Sequence, residues 1–289
     1  MAPCQAEMAD RILSKVREQL PDLTFEILEI GAVQLAPEPE PFHRLLDDFP
    51  GSRVHAFELD PASCEALSAQ ARPGMVIHPA AIGRCREQRT VHLTNHSMCT
   101  SLYRPNEGLL AEFNHLEVAS LRSCSQVEIC SLDELAAEGL FERVDFIKID
   151  IQGAELDAFL GANRTLRSTV GIVTEVEFSP IYEGQPLFGD VDRELRSQGF
   201  MFHKFFGLAG RCLRPVVLNN NPRVGSWHLW SDAMYLRQLQ EWPQLDPAAL
   251  ARLAILGWLY GSPDVCFRCL QLCDQKLSTR LVEAMTETA

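Results

Sequence analysis

Five short runs of apolar residues punctuate the chain, and their spacing leaves few folds open. Residues 25–32, 53–60, 75–83, 144–151 and 170–178 are rich in Val, Ile and Phe, with little alternation of polar and apolar positions. Runs of that length and type are strands covered on both faces, the condition of a parallel sheet between two helical layers. Helical periodicity separates most of them, over residues 42–48, 61–71, 154–166 and 190–198. Strand–helix alternation predicts an α/β fold, a mostly parallel sheet with right-handed crossovers and helices on both faces.

Punctuation residues sharpen this reading. Ile12, Val16 and Leu20 recur at helical spacing over residues 9–20, and Pro21 closes that helix. Asp60 is a natural N-cap, and Pro61 suits the first helical position, where its missing N–H costs nothing. Between residues 83 and 144 the pattern loosens into a short strand at 90–94, a polar loop at 95–106 and a strand running into a helix at 127–138. Residues 201–206 and 228–237 are two final strands, joined through the Asn219-Asn220-Asn221-Pro222 turn. From Asp246 onward Leu250, Leu253, Ala254 and Leu256 mark helix. The expected organisation is an N-terminal helix (1–24), an α/β domain (25–240) and a helical appendage (241–289).

With 289 residues, 46% of them hydrophobic, the chain can bury one large α/β core. Its 39 acidic against 26 basic residues give a net charge of -13, which argues against nucleic acid and anionic membranes as partners. Residues 1–20 carry Glu7, Asp10, Arg11, Lys15 and Arg17 and lack the apolar core of a signal peptide. The longest apolar stretch, 253–260, falls far short of the ~18–20 residues that span a bilayer. Ten cysteines scattered through a chain of this size are expected to be reduced thiols in the cytoplasm. Without secretion, the Asn163-Arg164-Thr165 sequon means nothing.

Chemistry concentrates at the carboxyl ends of the expected strands, where open parallel sheets bind ligands. Glu29, Gly31 and Ala32 close the first strand: a glycine turn admits a cofactor to the backbone, and an acid there can receive a cationic amine. The same glycine also fits an ordinary strand-to-loop turn. Glu58 ends the second strand, where a carboxylate can accept both ribose hydroxyls of an adenosine cofactor, or can serve in a plain salt bridge. Lys148 and Asp150 share one face of an otherwise apolar strand, as a functional pair or a structural ion pair. Glu155 falls in the first turn of the next helix, where complementing the dipole is role enough. Cys266, Cys269 and Cys273 line one side of a helix; small core residues explain them better than a zinc site, which seldom sits on one helix.

At this point the sequence resembles a known family. LEIGA at residues 28–32, AFELDP at 56–61, AAIG at 80–83 and TSL at 100–102 occur in order. SLDEL at 131–135, DFIKIDIQGAE at 145–155 and WSDAMYLR at 230–237 follow. Together they are similar to the FkbM family of S-adenosylmethionine-dependent methyltransferases, across residues 25 to about 237. The resemblance implies a Rossmann-like class I methyltransferase fold, a seven-stranded sheet whose last strand is antiparallel. It also implies S-adenosylmethionine as cofactor, with Glu29, Gly31 and Ala32 at its methionine end and Glu58 and Leu59 at its ribose. Ala81 and Ser101 would lie near the adenine, and Asp150 at the mouth of the transfer site. One departure stands out. Family members follow the first glycine with Asn and a second glycine, whereas this chain has Val33 and Leu35, then Pro37, Pro39 and Pro41. The carboxylate end of the cofactor must be held in another way, or less well.

Methyl transfer to oxygen requires an acceptor held at attack distance and a base for its proton. The candidates are Asp150, Glu175 and His203, with His43 and His96 behind them. Among Phe202, Phe205 and Phe206, His203 is equally well explained as a packing residue. Glu175 and Glu177 flank Val176 two positions apart, and Glu175 is the one expected at the crevice. Asp150 and Glu175 could share a divalent cation, but acid pairing without a metal is the expectation. The sequence therefore predicts an O-methyltransferase acting on a hydroxyl of a small molecule or glycan. A methyltransferase-like module that binds a partner without catalysis is the alternative. A nicotinamide-dependent dehydrogenase also fits Gly31 and Glu58 but lacks G-x-G-x-x-G.

Overall fold

A computed structural model describes residues 3–32 and 39–286. Its first six strands are β1 (Glu26–Ile30), β2 (Arg53–Glu58), β3 (Met75–Pro79), β4 (Ala81–Ile82), β5 (Glu87–Thr94) and β6 (Leu121–Cys130). Then come β7 (Phe146–Ile149), β8 (Gly171–Glu177), β9 (Phe200–Phe205), β10 (Ala209–Arg211) and β11 (Trp227–Arg237). The main sheet runs β10-β11-β8-β7-β1-β2-β3, and β9 joins β11 on its outer side. Strands β3, β2, β1, β7 and β8 are parallel, and β11 is antiparallel to β8, β9 and β10. This is the Rossmann-like methyltransferase arrangement expected, with eight strands in place of seven because the short β10 adds to the edge.

Ten helices fill in the layers. They are α1 (Pro3–Gln19), α2 (Leu45–Asp48), α3 (Pro61–Gln70), α4 (Glu107–Glu112) and α5 (Leu132–Ala137), then α6 (Glu155–Leu160), α7 (Phe188–Ser197), α8 (Pro247–Leu259), α9 (Pro263–Leu277) and α10 (Glu283–Thr286) among the described residues. Leu28, Ile30, Ile147, Ile149 and Ile172 face one side and meet Leu132 of α5, Phe159 of α6 and Leu195 of α7. Phe25, Ile27, Phe146 and Met234 face the other, against Ile12 and Val16 of α1 and Leu253 and Leu256 of α8. Each such side chain, fully buried, contributes roughly 1.5–3 kcal/mol. Helices α8 and α9 thus share the core of the sheet itself. Arg252 of α8 reaches through that layer to donate from Nε to the Thr24 carbonyl at 2.8 Å.

Local chemistry explains the boundaries. Asp60 caps α3 by accepting the Ser63 N–H at 2.8 Å, with Pro61 behind it. Ser131 and Glu134 close a reciprocal capping box on α5. The helix expected over 154–166 stops at Leu160 because Gly161 presses on another loop; a Cβ there would lie 2.6 Å from the Gly83 and Arg84 carbonyl oxygens. On α9, Cys266, Cys269 and Cys273 are fully buried, and burial pushes the Cys266 and Cys273 thiols up to about 12. They pack in the apolar core beside Val265, Leu270 and Leu253.

A second, three-stranded sheet is formed by β4, β6 and β5. Its β5–β6 hairpin was foreshadowed only by residues 90–94 and 127–130. It stands over the carboxyl ends of β1 and β2, which is where the cavity lies.

Candidate active site

Register brings three strand ends together. Ile30 pairs with Phe57 of β2 and Ile149 of β7, so the residues that follow, Gly31, Glu58 and Asp150, emerge side by side. Backbone hydrogen bonds lace them: the Gly31 and Ala32 N–H groups donate to the Phe57 carbonyl at 3.0 and 3.2 Å, and the Asp150 N–H to that of Ile30 at 2.9 Å. Gly31 has φ +78°, and a Cβ on it would sit 1.9 Å from the Asp150 carbonyl oxygen. Only glycine fits there.

These ends floor a cavity of about 460 Å³, within the ~300–1,000 Å³ range of small-molecule sites. Gly31, Glu58, Leu59, Ala81, Ser101 and Asp150 all line it, and Val91, Leu93 and Val127 of the hairpin roof it. Glu58 accepts the Asp60 N–H on Oε1 at 2.8 Å. Burial raises its pKa, and the Asp60 and Leu59 N–H groups pull it back toward the charged form.

Glu29 and Ala32, the other two expected cofactor contacts, do not line this cavity. Glu29 lies on the α8 side of β1, buried against His43 with Oε2 2.9 Å from Nε2. Next to it Lys148 donates to Asp232 Oδ1 at 3.1 Å and lies 3.9 Å from Asp150 Oδ2. Burial alone would lower the Lys148 pKa; the two carboxylates outweigh it and raise it, so Lys148 stays charged. Glu40 faces the same group with its pKa raised by burial and eased by Lys148, and the Tyr260 hydroxyl donates to its Oε2 at 3.4 Å. Val33, Leu35 and Pro37 lie outside the described residues; Pro41 opens the short helical turn that carries His43.

Beyond Asp150 the chain buries acids. Gln152, at φ +56°, points its amide Nε2 at both Asp150 Oδ1 (2.9 Å) and Glu175 Oε2 (2.6 Å). Its Oε1 lies 3.0 Å from the Tyr182 hydroxyl, which is also 2.9 Å from the Cys99 carbonyl oxygen. Burial, then the charge of Asp150, raises the Glu175 pKa well above its ordinary value and favours the neutral form. It stands behind Asp150, outside the cavity lining. Glu155 accepts the Ile151 and Gly153 N–H groups at 2.8 and 3.0 Å, and burial raises it to about 7.

Asp150, Glu155 and Glu175 each bring a carboxylate oxygen within 4.8 Å of the others, a spacing a divalent cation could use. Within this cluster the Gln152 amide donates to Asp150 and Glu175, and the Ile151 and Gly153 N–H groups donate to Glu155.

His203 is not brought to this site. Its Nε2 lies 2.8 Å from Ser262 Oγ at the α8–α9 turn, beside a separate cavity of about 300 Å³ lined by Trp242 and Arg268. Sequence reasoning missed Gln152 and Tyr182 as site residues, although Gln152 stands inside the most distinctive motif.

The sequence profile described as Methyltransferase FkbM domain matches residues 31–202, more than half of the chain. The chain belongs to the FkbM methyltransferase family. Among curated proteins, the 2-O-methyltransferase NoeI of Sinorhizobium fredii (strain NBRC 101917 / NGR234) is 42% identical over 59 residues, 20% of this chain and 24% of NoeI. The match therefore spans about a quarter of that relative. Among solved structures, magnesium protoporphyrin IX methyltransferase of Synechocystis PCC 6803 is 8% identical over 81% of each chain, with a TM-score of 0.35. The 23S rRNA methyltransferase ErmE is 12% identical over 93% of this chain and 97% of its own, with a TM-score of 0.31. Likenesses that loose say nothing about an acceptor.

As an FkbM methyltransferase, the protein uses S-adenosylmethionine, and its own residues fit that cofactor. The cavity is of suitable size, Gly31 lines it, and Glu58 offers a carboxylate to hydroxyl donors. No described helix is long and apolar enough to cross a membrane.

Proposed function

We propose that this methyltransferase acts on oxygen, at a hydroxyl of a small molecule or glycan, with Asp150 as the group that receives or orients the acceptor proton. The carrying observation is the setting of Asp150. It lines the cavity beside Gly31 and Glu58, with one carboxylate oxygen on the Gln152 amide and the other facing Lys148. Those two neighbours fix the direction of its carboxylate beside the cavity, as a base must be placed. Glu175 is set back behind Asp150, and burial favours its neutral form, so its role is to anchor Gln152. The partial likeness to a 2-O-methyltransferase supports oxygen as the target.

S-adenosylmethionine supplies an electrophilic methyl group on a sulfonium. The protein's tasks are to hold the acceptor in line, exclude water and take one proton. We assign residues 25–240 to the methyltransferase unit, with Glu58, Leu59, Ala81 and Ser101 on the adenosine side and the flanking helices as its cover. The acidic balance of the chain favours an acceptor that is neither nucleic acid nor anionic membrane lipid, and its ten scattered cysteines suit the reducing cytoplasm.

The test is labelled methyl transfer to a panel of hydroxylated metabolites and glycans, followed by Asp150→Asn on the best acceptor. Turnover should fall ~10²–10⁴-fold while S-adenosylhomocysteine affinity holds within about threefold. Turnover within about threefold of wild type would remove Asp150 from the mechanism.

A further inference from the structure

From Asp150 a continuous wall leads away from the cavity. Gln152 meets Tyr182, Tyr182 meets the Cys99 carbonyl, and Cys99 and Trp230 pack with Tyr182 in one apolar cluster. Cys99 is within electrostatic reach of Asp150 on one side and Arg211 on the other. Arg211 lies flat on Trp230, its guanidinium carbon 4.8 Å from the ring centroid.

The hydrogen bonding of Arg211 is lopsided. Nη1 donates to the Gly210 and Arg223 carbonyls at 2.9 and 3.0 Å. Nε is buried with no acceptor, and among the described residues the side-chain hydrogen bonds of Arg211 all leave from Nη1. The Nε–Nη2 edge is the one that takes a carboxylate or phosphate through two parallel N–H bonds. No carboxylate pairs with Arg211 among the described residues. Its nearest charged neighbour of note is a second cation, Arg223, whose Nε meets His115 Nε2 at 3.0 Å. Burial and Arg223 both push the Arg211 pKa down, so the site favours a missing anion. Arg223 is exposed and solvated, so the unmet demand is that of the half-buried Arg211, whose Nε has no acceptor. Around them Val216 and Trp227 are 55% and 52% exposed, an apolar ledge beside the charge.

We propose that Arg211, backed by Trp230, receives an anionic oxygen group of the methyl acceptor, a carboxylate or phosphate carried on the same molecule as the hydroxyl. The assignment of this group to the acceptor rests on the reading of the Asp150 cavity as the transfer site. The planar fork fixes the orientation of the anion, and the ledge covers the apolar face of whatever carries it.

The experiment is nuclear magnetic resonance on the ¹⁵N-labelled full chain, following arginine Nε–H and tryptophan Nε1–H signals at ionic strength held constant with sodium chloride. Arg211→Gln identifies the Arg211 signal by its disappearance. D-glucuronate should shift that signal and a tryptophan signal saturably, whereas D-glucose should shift neither. Glucose 6-phosphate, run in parallel, distinguishes phosphate from carboxylate. In Arg211→Gln the tryptophan response should weaken at least tenfold; Arg211→Lys, which keeps charge but loses the fork, should weaken it severalfold and guards against misfolding. The proposal is overturned if neither anion moves the Arg211 signal, or if Arg211→Gln binds as wild type does. A parallel titration with S-adenosylhomocysteine separates the two readings. If it binds while both anions fail, only the Arg211 assignment falls. Anions that bind without it leave an anion site and remove the acceptor reading.

Discussion

Adding one methyl group at Gly31 should disturb both stability and the site, by an amount the geometry sets. In Gly31→Ala the residue must keep φ near +78°, which costs an L-residue about 1–2 kcal/mol. The new Cβ starts 1.9 Å from the Asp150 carbonyl oxygen and must retreat by about 1 Å to reach any tolerable contact. Both atoms belong to the main chain at the ends of paired strands, so no side chain can swing aside. Overpacking of that kind costs about 1–3 kcal/mol more. The retreat also moves Asp150, and a shift of about 1 Å at a reacting group is worth ~10²-fold in rate. Gly139→Ala is the internal control, because Gly139 has φ +84° with nothing within 4 Å of its would-be Cβ. It should show only the backbone cost and leave S-adenosylhomocysteine binding alone. Urea unfolding and calorimetric titration of the two variants check both halves. If Gly31→Ala is no more destabilising than Gly139→Ala, and binds S-adenosylhomocysteine within about threefold of wild type, the argument from close approach is wrong.

Glu58→Ala should weaken S-adenosylhomocysteine at least tenfold by titration, since a charge-assisted hydrogen bond is worth ~1.5–3 kcal/mol; unchanged affinity in a folded variant refutes the ribose assignment. The fold raises the Glu175 pKa above that of the unfolded chain, about 4.3, so this residue costs stability as pH rises through that value. Glu175→Gln, which mimics the neutral form, should therefore gain on wild type in urea unfolding from about pH 5 to about pH 8. A difference that does not change with pH would contradict this. His203→Ala, which loses only its partner Ser262, should leave S-adenosylhomocysteine affinity within about threefold, and a tenfold loss would tie the second cavity to the first.

Burial on both faces is what made the central strands legible. Residues 25–32, 53–60 and 144–151 are apolar because helices cover both sides, and the structure trims each run by a few residues at its ends. Lys148 and Asp150 stood out for the same reason, as charges inside such a run. The β5–β6 hairpin left a fainter trace, because most of residues 121–128 face solvent and its inward contacts line a cavity rather than a core. Parity along β8 put Glu175 on the correct side of the sheet but could not give its depth. His203 was misjudged for want of topology: its strand lies outside β11, against the α8–α9 turn. Gln152 could not be foreseen as a bridge, because its reach depends on a left-handed backbone turn.

The sharing of one core by β1, β7 and the α8–α9 pair has a consequence for synthesis. While a ribosome is still translating residues 247–277, every strand of the sheet has been made, yet the face bearing Phe25, Ile27, Phe146 and Met234 has only α1 and lacks the α8–α9 part of its cover. A parallel sheet in that condition gathers its long-range pairings slowly and offers a broad apolar surface to anything nearby. The nascent chain should therefore be a client of ribosome-associated chaperones until α9 emerges, and its committed folding step should follow the translation of that helix.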